Sequence, residues 1–92
     1  MKLIIPGWKQ FEGATKHECI ERWWERSKMR PFGSADTLDQ FIDEALTGLR
    51  MGTGQDIQVE GDDLVARASS FYDVVIEYGL AVADNEGDAS VN

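Results

Sequence analysis

An α+β fold, three helices packed on a small two- to three-stranded antiparallel sheet, is predicted by three observations. The chain opens with a β-branched run, Lys2-Leu-Ile-Ile, that Pro6 and Gly7 stop. Two long apolar stripes at helical spacing follow, over residues 38–49 and 64–78. A shorter stripe over 20–27 lies between a capping sequence and Pro31. The expected order is β-α-α-β-α with room for a last short strand, and an all-α bundle is the competing architecture.

The opening strand is expected at a sheet edge, because a proline cannot donate to a ladder. Trp8 and Phe11 follow in a segment with no period and are expected to cap the core. Thr15-x-x-Glu18 has the spacing of a capping box and marks the start of the first helix. Ile20, Trp23, Trp24 and Ser27 then share one face, and Pro31 ends the helix, with Pro31-Phe-Gly-Ser34 as a turn.

Asp36 or Thr37 caps the second helix, in which Leu38, Phe41, Ile42, Ala45, Leu46 and Leu49 form one stripe. Gly48, Gly52 and Gly54 are expected to break that pattern, leaving Gly52-Thr-Gly54 as a flexible loop, before Ile57-Gln-Val59, an alternating segment read as the second strand. Gly61-Asp62-Asp63 caps a third helix, carried by Leu64, Ala68, Phe71, Tyr72, Val75 and Tyr78 and stopped by Gly79. A strand over 73–82 competes with its second half, since Val74, Val75, Ile76 and Val82 favour extended backbone. Leu80 to Ala83 is a short strand in either case.

Ninety-two residues with 39 apolar side chains allow one core of modest stability. One domain is expected over 1–83, followed over 84–92 by a flexible acidic tail too polar to dock. No apolar run approaches the roughly 20 residues that span a bilayer, so no membrane partner and a cytoplasmic location are expected. A single cysteine, Cys19, allows neither an internal disulfide nor a thiolate-rich zinc site.

The net charge of -8 hides a divided chain. Residues 1–30 hold seven basic groups against four glutamates, net +3, whereas residues 31–92 hold Arg50 and Arg67 against thirteen acids, net -11. Asymmetry of this kind points to charged partners. Asp36, Asp39 and Asp43 lie about 5–6 Å apart along one helix face, close to the spacing of phosphates. With Glu44, Asp62 and Asp63 they form the candidate partner-binding surface, suited to a lysine- or arginine-rich protein. Arg22, Arg26, Lys28 and Arg30, interleaved with aromatic residues, are the candidate contacts to RNA or to the partner. Glutamates within that segment and the overall charge argue against free DNA.

Catalytic and cofactor motifs are absent, and no enzyme, cofactor or metal is expected. His17 and Cys19 are two residues apart, which on a helix turns them about 200° from each other. Gly52-Thr-Gly54 lacks the lysine and hydroxyl of a phosphate loop. The acids from Asp84 to Asp88 begin a calcium-loop pattern that has no twelfth position.

In size, acidity and absence of such motifs the chain resembles the small inhibitors that phages and mobile elements direct at bacterial defence, the anti-CRISPR and DNA-mimic anti-restriction proteins. The resemblance implies a non-enzymatic, stoichiometric binding protein, monomeric or weakly dimeric. It would dock on the nucleic-acid-handling surface of a defence complex, with guide RNA within reach of the basic segment. That basic segment departs from pure DNA mimicry. The alternative expectation is a small virion or complex assembly protein acting through an aromatic patch.

Overall fold

The computed structural model describes residues 1–28 and 36–84, the last residue of each stretch by its backbone alone. Its elements are β1 (Lys2–Ile4), β2 (Gln10–Glu12), α1 (Lys16–Lys28), α2 (Leu38–Thr53), α3 (Leu64–Glu77) and β3 (Val82–Asp84). The three strands form one antiparallel sheet in the order β2-β1-β3, and the class is α+β as the sequence predicts. β3 reaches Asp84, one residue past the expected domain boundary. The turn at Pro31, Arg30 and, of the tail expected over 84–92, residues 85–92 lie outside the described residues.

β1 is the central strand, not an edge. Leu3 pairs with Phe11 on one side and Ala83 on the other, while Pro6 falls beyond the ladder. There its missing N–H costs nothing. Ile5-Pro6-Gly7-Trp8 is a tight turn in which Trp8 N–H donates to the Ile5 carbonyl at 3.0 Å. Gly7 supplies the φ of 78° that follows a proline in a type II turn. The turn folds β2 back onto β1, so Phe11, which has no periodic neighbours, becomes a strand residue facing the core. Trp8 stays at the surface, 37% exposed.

Ile57-Gln-Val59 is not a strand. Ile57 is buried, Gln58 exposed and Val59 packed on the core, so the alternation is real, but the segment has no ladder partner. It is instead strapped down by Arg50, whose Nε donates to the Ile57 carbonyl at 2.7 Å.

The helices begin as their caps dictate. Glu18 N–H donates to Thr15 Oγ1 at 3.2 Å, Gln40 N–H to Thr37 Oγ1 at 3.1 Å, and Ala66 N–H to Asp63 Oδ1 at 2.8 Å. α2 ends later than the glycines suggest. It runs through Gly48 and Gly52 to Thr53 and stops at Gly54, whose φ of 71° lets its N–H reach the Arg50 carbonyl. Gly52-Thr-Gly54 is therefore the last turn and cap of α2, not a loop. A helical glycine costs about 1 kcal/mol relative to alanine, too little to end a helix whose next residue, Leu49, already packs on the core.

The 73–82 ambiguity resolves as helix to Glu77, because Phe71, Tyr72 and Val75 carry one buried face. Leu64 belongs to that stripe by spacing, yet at the helix end it is 40% exposed. Arg67, near the start of α3, meets Asp39 and Asp43 near the start of α2. Tyr78, just past the end of α3, donates its hydroxyl to Gln55, just past the end of α2. α2 and α3 thus run the same way, and residues 54–63 return along their length. α1 crosses α3, fixed by the Lys16–Asp73 ion pair at 2.7 Å, and Tyr72 OH donates to the Lys2 carbonyl at 3.0 Å, tying α3 to β1.

The core lies between the sheet's inner face and the three helices. At its centre Phe71 is fully buried, stacked 5.9 Å from Trp23 and edge-on to Phe41 at 6.2 Å. Trp23 continues the chain of rings to Phe11 at 6.3 Å, and Phe11 to Trp8 at 5.7 Å. Trp23 and Trp24 are half-buried against this core, which leaves Trp8 as the one indole among the described residues that is counted as exposed.

Candidate acidic partner-binding surface

The six predicted acids lie on or just before the first two turns of α2 and just before α3. Asp36 precedes the Thr37 cap, and Asp39, Asp43 and Glu44 lie along the solvent side of α2. Asp62 and Asp63 precede α3, one helical turn before Arg67. Arg67 reaches across to α2, with Nη1 against Asp39 Oδ1 and Nη2 2.8 Å from Asp43 Oδ1. Arg67 N–H bonds the Asp63 carbonyl at 3.0 Å, so the residue that reaches α2 lies one turn after the α3 cap. All six acids are exposed.

Their roles differ. Asp63 Oδ1 is committed to the α3 cap, Asp39 and Asp43 to Arg67, and Glu44 has a partner of its own. The carboxylates of Asp36 and Asp62 make no bond among the described residues. The even acidic stripe expected over Asp36, Asp39 and Asp43 is therefore uneven: among the described residues the Asp36 carboxylate has no partner, while Asp39 and Asp43 share a guanidinium. Arg67 is the residue sequence reasoning missed. The available signal was the i,i+4 pair Asp39/Asp43 in a segment holding two arginines, but which arginine lay opposite depended on the return path of 54–63. The other, Arg50, goes to the Ile57 carbonyl. Among the described residues Arg67 pairs with Asp39 and Asp43, and all six acids remain exposed.

Of the predicted basic set, the side chains of Arg22 and Arg26 are described. Arg22 and Arg26 are exposed on α1 a turn apart, Arg26 with a partner, and Glu25 is exposed between them. The side chain of Lys28 and all of Arg30 lie outside the described residues. Lys16 serves the α1–α3 contact, paired with Asp73 and 5.8 Å from the Tyr72 ring centre.

Cys19 is fully buried and its thiol donates to the Met1 carbonyl at 3.6 Å. Burial raises its pKa, and burial likewise raises that of Tyr72. A thiol so placed is a weak nucleophile at neutral pH. Among the described residues no three of His, Cys, Asp and Glu are placed to hold one metal ion, and no helix is long and apolar enough to cross a membrane.

Compared with protein-family models, curated proteins and solved structures, the chain matches none of them.

Proposed function

We propose that the protein is a non-enzymatic, stoichiometric binding protein whose acidic α2–α3 surface docks on a lysine- and arginine-rich, nucleic-acid-handling surface of another protein or ribonucleoprotein. The observation that carries the reading is the exposure of Asp36, Asp39, Asp43, Glu44, Asp62 and Asp63 on and just before the first turns of α2 and α3, two helices joined there by the ion pairs of Arg67 with Asp39 and Asp43. Carboxylates held on helices, as Asp39, Asp43 and Glu44 are, present fixed negative charge, which steers a cationic surface and sets its register. The small acidic inhibitors of bacterial defence, of the anti-CRISPR and anti-restriction kind, are the class whose mode of action this surface suits. Arg22 and Arg26 lie on α1, where they would meet RNA only in a ribonucleoprotein target.

The test mixes the protein with guide-RNA-loaded defence complexes and with restriction enzymes, and follows complex formation by size exclusion and DNA binding by mobility shift. The expected result is a one-to-one complex with one of them that blocks DNA binding and weakens as salt rises. Asp36→Lys with Asp62→Lys should slow association while the chain stays folded, because neither carboxylate makes a bond among the described residues and a lysine near a helix N-terminus costs only about 0.3–1 kcal/mol. Arg22→Glu with Arg26→Glu weakens binding to a ribonucleoprotein and is neutral for pure DNA mimicry. Absence of a complex, or a complex indifferent to both salt and the Asp36/Asp62 reversal, would refute the reading.

A further inference from the structure

We draw no further inference here: the strongest candidate, the exposed apolar pair Leu64 and Val65 at the first turn of α3 beside the Asp39–Arg67–Asp43 ion pairs, carries nothing because its charged rim belongs to the surface already described and nothing in the structure shows what covers the apolar side chains.

Discussion

Replacing Phe71 by alanine tests the architecture at its most demanding point. The ring is fully buried on α3 and touches rings from two other elements, Trp23 of α1 and Phe41 of α2. Truncating a buried phenylalanine to alanine costs about 3–5 kcal/mol from lost transfer energy and the cavity left behind. A domain of this length has roughly 5–14 kcal/mol in all, so the variant sits near the edge of folding. At about 4–8 °C per kcal/mol for a chain this size, the melting temperature should fall by at least about 12 °C. Far-UV circular dichroism against temperature measures the fall, and Trp23 fluorescence reports the loss of its stacking partner. Leu64→Ala is the control. It belongs to the same helical stripe but is 40% exposed, so it should cost less than about 1 kcal/mol. If Phe71→Ala melts within a few degrees of the parent, or if Leu64→Ala costs as much, α3 does not present the face described here and the packing argument fails.

Four further outcomes are expected. Arg67→Ala removes two ion pairs whose carboxylates are largely exposed, so it should destabilise by only about 0.5–1 kcal/mol in dilute buffer, and urea titrations in 1 M salt should show less. Gly61→Ala should cost more than Gly54→Ala in the same titration. Both glycines have positive φ, but a Cβ at Gly61 would stand 2.7 Å from the Arg67 backbone nitrogen, whereas at Gly54 it meets nothing within 4 Å. Asp63→Ala should lose about 1 kcal/mol with the α3 cap, and Asp63→Asn should restore most of it. The thiol of Cys19 and the phenol of Tyr72 both have raised pKa values in the folded chain. The unfolded chain therefore releases these protons first, and their contribution to stability is complete below the ordinary thiol value of 9.0 and declines as pH rises beyond it. Melting temperatures followed from pH 8 to about 11 should fall, and less steeply for Cys19→Ala; an identical slope would show that the thiol takes no part.

The helices were legible in the chain because their signals are local. A stripe such as Leu38, Ile42 and Leu46 needs only the helical period to share a face, and Thr37 and Asp63 cap through bonds three residues long. The sheet was legible only in part. Strands of three residues are too short to show alternation, so Gln10–Glu12 carried no signal of its own, while Ile57-Gln-Val59 carried one that found no partner. The acidic residues were readable one by one, as was their total charge. The pairing of Asp39 and Asp43 with Arg67 was not.

By itself the sequence determined where each helix begins, which side of it is apolar, that its two parts carry opposite charge, and that Pro6 and Gly7 turn the chain. The charge is a sum read along the chain; the helix starts, the apolar sides and the turn follow from residues within a few turns of one another, where sterics and hydrogen bonding act without reference to the rest of the chain. The tertiary structure alone decided that β1 is central, that Phe11 and Ala83 flank Leu3, that Arg50 holds the strap at Ile57 while Arg67 takes Asp39 and Asp43, and which carboxylates remain open to solvent. Those pairings join residues far apart in the chain. They form only where burying the shared apolar core outweighs the entropy of closing the loops between them, and that balance depends on every element at once.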